Sequence, residues 1–379
     1  MKYEVGDREP AVVEAPPARA DDPFILLTSD CSLPPAPSAR LFCGDAAAWD
    51  RLLLGLGGHV LQSYRWGEFK RRHGWDVERL TIHRGPGGGR VVGAAQIFFK
   101  RRYGLSVGYV PRGPVLDFAD ERALAAGLAA LDRLCRERRA IALLIEPDDP
   151  AGRALTCRGF APTWRSLHFQ PRRTIKVAVD RGDDALLAAM KPKTRYNVRL
   201  AVKRGVTVRR GAGDADLDAF YRLAAETARR DGFGIHAREY YADLLGVCGD
   251  HAALFLAECA GEPAAAVIVL CAGQEAIYHS GASAERHRRA MPSYLAQFAA
   301  MRWARDRGCA WYDLWGIPED DDPPAATGRA GTANVRAGLW GVYRFKQGFG
   351  GEVVAYPGTY ERAYVRPLVW LWHHAADLG

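Results

Sequence analysis

From about Asp45 onward the chain alternates between two hydrophobic spacings. Apolar residues recur every three or four positions in "DAAAWDRLLLGLGG", "LQSYRWGEFKRRHGW" and "DERALAAGLAALDRLCRERR", which predicts amphipathic helices. "VERLTIHR" and "RVVGAAQIFFKRR" change to a spacing of two and flank the turn "GPGGG", which predicts a hairpin. "LSVGYVPRGPVLD" reads as a strand entering a Pro/Gly loop, "AIALLIEP" as a buried strand and "TIKVAVD" as another. The second half repeats the grammar. "DDALLAAMKPKTRYNVRLAVKRG", "DADLDAFYRLAAETARRDGF" and "REYYADLLGVC" predict helices, then "AALFLAECAG", "EPAAAVIVLCAG" and "EAIYHSGAS" predict three strands. "PSYLAQFAAMRWARDRGC" follows as a long helix and "AWYDLWGIP" as a strand. The polar loop "EDDDPPAATGRAGTANVRAG" is expected to be mobile, and "LWGVYRFKQGFGGEVVAY" runs from a helix into a strand.

Each half therefore reads as helices, an antiparallel hairpin and a strand–helix–strand unit. That order predicts an α/β (α+β) fold of two tandem acetyltransferase-like (GNAT) domains, with mixed sheets covered by helices. The 379 residues are long enough for two domains. Residues 1–42, rich in Pro, Ala and Asp, are expected to form a disordered leader.

Charge narrows the set of partners. The formal net charge is +8, which suits an anionic partner such as RNA, a phosphate or an acidic membrane surface. The eight cysteines include no Cys-x-x-Cys pair and no histidine at ligand spacing, so neither a zinc site nor a disulfide framework is expected. They suit a reducing cytoplasm. The N-terminal stretch is charged and Pro-rich, unlike a secretory signal, and no apolar run is long enough to span a bilayer. The Trp-rich tail "RPLVWLWHHAADLG" is expected to pack as a C-terminal element, although it could touch a membrane surface.

Three stretches carry candidate chemistry. "MKPKTRYNVRLAVKRGV" (190–206) concentrates Lys191, Lys193, Arg195, Arg199, Lys203 and Arg204, with Arg209 just beyond. Lys191, Arg195 and Arg199 recur at four-residue spacing on one helix face, a density of like charge that suits a polyanion. Tyr196 is expected to pack inward beside Val198 and Leu200, and Asn197 to pair with backbone or a ribose. "PRGPVLD" presents Arg112 and Asp117 on a loop stiffened by Pro111 and Pro114, where Asp117 could equally cap a turn. "RFKQGFGG" sets Phe345 and Lys346 before Gly348, Gly350 and Gly351, where a backbone can approach a ligand closely.

Taken in order, "SYRWGEFKRRHGW" (63–75), "YVPRGPVLD" (109–117), "MKPKTRYNVRLAVKRGV", "YHSGAS…PSYLAQFAAMRWARDRGCAWYDLWGIP" (278–318) and "GVYRFKQGFGGEVVAYPGTYE" (341–361) resemble the FemABX family. Those proteins are aminoacyl-tRNA-dependent transferases that extend the stem peptide of peptidoglycan precursors. The resemblance covers roughly residues 45–365. It implies two GNAT-like domains, at 43–170 and 171–354, with the first completed by 355–379 and the precursor bound between them. It implies a compact member, because no extended heptad segment lies between Arg199 and Ala276.

The resemblance also implies roles. Lys70, in a cationic turn with Arg71 and Arg72, would contact the precursor's diphosphate, assisted by Arg238. Asp117 would lie near the incoming peptide amine and could orient or deprotonate it. Lys346, with Tyr278 nearby, would sit at the reaction centre and stabilise an oxyanion, while Phe345 offers an aromatic wall for the terminal base of the tRNA. The basic stretch Lys191, Lys193, Arg195 and Arg199 would meet the tRNA or, alternatively, the precursor diphosphate. No metal or other cofactor is expected, because the ester is already activated; aminoacyl-tRNA is the co-substrate. Expected partners are aminoacyl-tRNA and a nucleotide- or lipid-linked precursor, with room for a peripheral contact on the inner membrane face and no role for DNA.

Three alternatives stand beside this reading, one of them a family relative that aminoacylates something other than a murein precursor. An acetyl-CoA-type N-acyltransferase would need a glycine-bearing pyrophosphate loop. "RHRRAMPSYLAQ" has Ala290 and Pro292 in that place, which removes a backbone donor. A non-catalytic tRNA-binding or cell-envelope relative would not need Lys346, Lys70 and the Pro/Gly loops together.

Overall fold

The computed structural model describes residues 36–85, 89–102, 104–163, 169–319 and 340–376. Its strands form two mixed sheets. The first contains β1 (Ser38–Leu41), β2 (Asp76–Arg84), β3 (Arg90–Arg102), β4 (Leu105–Pro111), β5 (Val115–Leu116), β6 (Ala140–Glu146), β7 (Ala161–Pro162) and β15 (Tyr360–Ala363). Its order is β1-β2-β3-β4-β6-β15-β7, with β5 also paired to β3. The second contains β8 (Arg173–Ala178), β9 (Thr207–Arg210), β10 (Ala252–Cys259), β11 (Glu262–Ala272), β12 (Glu275–Ser283), β13 (Trp311–Asp313) and β14 (Glu352–Ala355), in the order β14-β8-β13-β12-β11-β10-β9.

Each sheet has one parallel pair, bridged by a helix. In the first sheet α3 (Glu121–Glu137) connects β4 to β6; in the second α8 (Pro292–Asp306) connects β12 to β13. A parallel pair requires such a crossover, whereas the antiparallel pairs need only short turns. Three apolar clusters cover the sheet faces. One combines Trp66, Phe69 and Phe98 with Phe220, Tyr241 and Ile268, so residues from both sheets share one core. The other two lie on the opposite faces, around Leu131 and Phe99 and around Met301 and Phe349.

Three local findings differ from expectation. Ser38–Leu41, placed by sequence in the leader, is an edge strand antiparallel to β2. The long helix expected over 183–205 is two helices, α4 (Asp183–Ala189) and α5 (Pro192–Lys203). Pro192 has no N–H to continue α4 and disfavours helical backbone before it; Met190 and Lys191 are accordingly extended, with ψ of 148° and 146°. Tyr196 does not pack inward: it is 62% exposed. Val198 lies two residues on, about 200° round the helix, so Tyr196 cannot share its buried face. The buried face of α5 is instead Thr194, Asn197, Val198 and Ala201. The loop expected to be mobile falls mostly outside the described residues, as does nearly all of the leader.

The remaining helices are α1 (Ala46–Gly55), α2 (Tyr64–Arg72), α6 (Gly213–Asp231), α7 (Arg238–Cys248), α9 (340–348) and α10 (Arg366–Ala376). No described helix is long and apolar enough to cross a membrane.

Candidate active site

Lys346 lies in the last turn of α9 and is only 6% exposed. Its ammonium donates to the Gly316 carbonyl at 2.6 Å and to the Trp315 carbonyl at 3.3 Å, just beyond β13. Trp315 adopts φ of 64°, unusual for a bulky residue, and this backbone turns the two carbonyls toward the lysine. Burial pushes the Lys346 ammonium down from 10.5 to about 8, and Asp313 opposes the fall. No carboxylate forms an ion pair with Lys346 among the described residues. The helix is held against α5, where the Lys191 amide donates to the Gly348 carbonyl at 2.9 Å. A Cβ on Gly348 would meet the Thr194 hydroxyl at 2.1 Å, so only glycine permits this approach.

Tyr278 stands beside Lys346, whose nitrogen is 5.7 Å from the ring centroid. The residue precedes an irregularity in β12: Ile268 pairs with Ser280 but Val269 with Tyr278, leaving His279 as the extra residue. A bulge of this kind re-aims neighbouring side chains. Tyr278 packs with the cluster around Met301, while the His279 ring faces Trp66 at 6.1 Å. Burial raises Tyr278 to about 12, so it is a neutral phenol near pH 7. Phe345 is half-buried, with its ring 4.9 Å from Tyr294 and 5.1 Å from Phe349.

Around this centre lies a buried polar group that sequence reasoning largely missed. Asp313 on β13 is 1% exposed and accepts from the Thr174 hydroxyl and from the Trp315 amide, the latter at 2.6 Å. Lys176 on β8 contacts the two Glu275 oxygens at 2.9 and 3.0 Å. Burial raises Glu275 to about 7, with Lys176 opposing the rise, and it raises Asp313 as well. His59 accepts the Leu61 amide through Nδ1 at 3.1 Å, which leaves the proton on Nε2, a buried atom without a partner among the described residues. Burial, reinforced by Arg112 and Lys176, holds His59 well below its ordinary range.

Arg112 joins this group. Its guanidinium lies 3.4 Å from the Tyr356 ring centroid, donates to the Pro171 carbonyl at 2.7 Å and approaches Asp148 at 3.9 Å. Ligand atoms of His59, Glu275 and Asp313 lie within 4.8 Å of one another, close enough to hold a metal ion, but Lys176 already supplies a positive charge to Glu275. The available signal was the carboxylate in the apolar run "AWYDLWGIP", since a buried charge requires partners.

A second cationic site lies at the end of α2. Lys70 sits 5.2 Å from the Trp75 ring centroid and 5.5 Å from that of Trp66, with no ion-pair or hydrogen-bond partner among the described residues. Burial lowers it to about 8, and Lys100 adds to the fall. The charge of Lys70 in turn lowers His236 and His279, both chiefly through burial, the latter to about 4. Elements of both sheets therefore surround an ammonium with no anion beside it.

Other expected site residues lie elsewhere or have other partners. Asp117 is exposed and accepts the Ala119 amide at 2.9 Å, which makes it a turn cap. Arg238 is bound to Asp214 at 2.9 Å and Asp218 at 2.5 Å, so α6 captures it. Those acids offset the unfavourable placement of a cation at the start of α7. In the basic stretch, Lys191, Lys193 and Arg199 are exposed. Arg195 donates to the Leu187 and Ala188 carbonyls at 3.3 and 3.1 Å and so caps α4.

Two mixed sheets, each with one parallel pair bridged by a helix, define a class: the tandem GNAT-like fold. A sequence model described as "FemAB family" matches residues 56–156, 163–262 and 259–377, and the chain belongs to that family. It is an enzyme of the acyltransferase type. A "Lipid II:glycine glycyltransferase" of Staphylococcus saprophyticus is 26% identical over 363 residues, covering 76% of this chain and 86% of the relative. The protein of the same name from Staphylococcus aureus is 26% identical over 368 residues, with the same coverage. Among solved structures, one described as FemX matches with a TM-score of 0.75 at 23% identity, covering 88% of this chain and 99% of that one. A tandem GNAT protein from the clavulanic acid biosynthesis pathway matches at 0.50 with 14% identity, over 86% and 98% of the two chains. These structural likenesses concern the fold.

Proposed function

We propose that the chain transfers an aminoacyl group from aminoacyl-tRNA to the stem-peptide amine of a peptidoglycan precursor. The observation that carries this reading is Lys346: a buried ammonium with two N–H bonds committed to backbone carbonyls and a third left for a reacting oxygen. The amine nitrogen forms an amide bond to the ester carbonyl carbon, and the bond from that carbon to the ribose oxygen breaks. The proton lost by the amine ends on the ribose oxygen. Charge accumulates on the carbonyl oxygen between these events, and a fixed donor there lowers the barrier.

The names of the staphylococcal relatives support lipid II as acceptor and glycine as the transferred residue. The unpaired Lys70 supports a diphosphate-bearing acceptor, because an ammonium between two indoles suits a phosphate. The exposed Lys193 and Arg199 support an RNA donor. The expected place of work is the cytoplasm, beside the membrane that holds a lipid-linked acceptor.

Purified protein incubated with glycyl-, alanyl- or seryl-tRNA and either lipid II or its nucleotide-linked precursor tests this. One pair is expected to add one residue's mass to the stem peptide. No mass gain with any pair, together with transfer from acetyl-CoA, would replace the reading.

A further inference from the structure

We propose that Asp313 is a positioning residue for Lys346: it fixes the carbonyl pair that holds the ammonium and supplies the buried negative charge that keeps it protonated. The inference rests on the reading of Lys346 given above.

The geometry carries it. Asp313 Oδ1 accepts the Trp315 amide at 2.6 Å, across one intervening residue, and also the Thr174 hydroxyl. That contact pins Trp315 at φ of 64°. A non-glycine residue persists in that region only when its surroundings over-determine it. The same turn delivers the Trp315 and Gly316 carbonyls to Lys346 at 3.3 and 2.6 Å. Gly316 is confined from the other side, since a Cβ there would lie 2.9 Å from the Pro171 ring. One carboxylate therefore sets both the direction and the electrostatics of the lysine without touching the reacting atoms.

Other charged or titratable groups face Asp313 from the surrounding elements. They are Lys176 on β8, Glu275 on β12, Arg112 after β4, Tyr356 after β14 and His59. Burial pushes Asp313 up; the hydrogen bond from Thr174, the charge of Lys176, the Trp315 amide and the charge of Arg112 oppose that rise and favour the ionised form.

Asp313→Asn keeps the shape and both hydrogen-bond acceptances but deletes the charge. With glycyl-tRNA and lipid II, the alkaline limb of its kcat profile, where Lys346 loses its proton, is expected to move down by about one pH unit. KM for either substrate is expected to stay within about twofold of the parent, because the residue contacts neither. Trace acetylation with acetic anhydride across pH, read on the Lys346 peptide, is expected to show the same displacement without reference to turnover. Thr174→Val removes the hydrogen bond that most favours ionised Asp313, so it is expected to displace the limb in the same direction, by no more than Asp313→Asn does.

If Asp313→Asn leaves the limb and the labelling curve in place while turnover falls at every pH, the role is structural and the proposal is overturned. A limb displaced further by Thr174→Val than by Asp313→Asn overturns the charge component. Should Lys346→Met retain full turnover, the oxyanion reading fails separately, and the labelling curve still tests the coupling.

Discussion

Lys70 is a half-buried and Lys346 a buried ammonium group, both brought down to about 8 by desolvation, yet the two sites solve the same problem differently. Lys346 has its own partners: two carbonyls and, behind them, the Asp313 carboxylate opposing the loss of its proton. Among the described residues Lys70 has only indole faces as partners, and the charge of Lys100, another cation, lowers it further. The contrast separates a charge prepared in advance for a transition state from a charge left waiting for an anion. Preorganisation of the first kind acts on turnover, whereas a site completed by its ligand acts on binding.

The largest expected effect tests the first half of that contrast. Lys346→Met keeps length and apolar stem, and it should cut kcat about 100-fold or more in steady-state assays while substrate affinities change little. Lys346→Arg should rescue poorly, because a planar fork cannot take the same two carbonyl contacts. Near-normal turnover in Lys346→Met would erase the distinction between the sites.

Lys70→Ala should raise the KM for the precursor by about 10- to 100-fold, the scale of one charge-assisted hydrogen bond, with kcat at saturation nearly kept. A diphosphate would raise the pKa of Lys70. Binding at pH 8 should then take up protons, measured by calorimetry in buffers of different ionisation enthalpy; no uptake would place the phosphate elsewhere.

Stability offers a smaller comparison. The folded-state value of Lys346, about 8, lies below its ordinary 10.5, so its burial costs stability below pH 8 and the cost fades as pH rises toward 10.5. Lys346→Met should therefore unfold no more easily than the parent at pH 7, with a gain of at most about 1–3 kcal/mol after the lost hydrogen bonds. Thermal or urea melts at pH 7 and pH 10 should show that gain shrinking at the higher pH. A variant less stable at pH 7 would mean that the carbonyl contacts outweigh the desolvation.

The smallest effect concerns α5. Lys193→Ala combined with Arg199→Ala should reduce the slope of log tRNA affinity against log salt by about two. Arg195→Ala should leave that slope nearly intact, because Arg195 is committed to the end of α4. If only precursor affinity responds, the basic face serves the other substrate.

What the amino-acid sequence determined by itself is local in origin. Helix and strand alternation follows from spacing within each segment, and Pro192 carried the break between α4 and α5 even though the long helix was read through it. Lys346 was legible because no other lysine follows Lys203 and three glycines come after it. Lys70 was legible as part of a cationic helix end, but its setting between two indoles was not.

The tertiary structure decided what depends on distant segments meeting. Lys176, Glu275 and Asp313 lie on three separate strands and His59 in the connection from α1 to α2, and no spacing along the chain announces that their side chains share one polar group. Tertiary structure also set Arg238 against the acids of α6, whereas the Asp117 turn cap and the exposure of Tyr196 are local in origin, fixed by an amide two residues on and by helix phase. Local patterning selects secondary structure through short-range sterics and periodic burial. A desolvated charge finds its partners only after the sheets have closed around it, and the conformation of Trp315 and the proton on Lys346 depend on that closure.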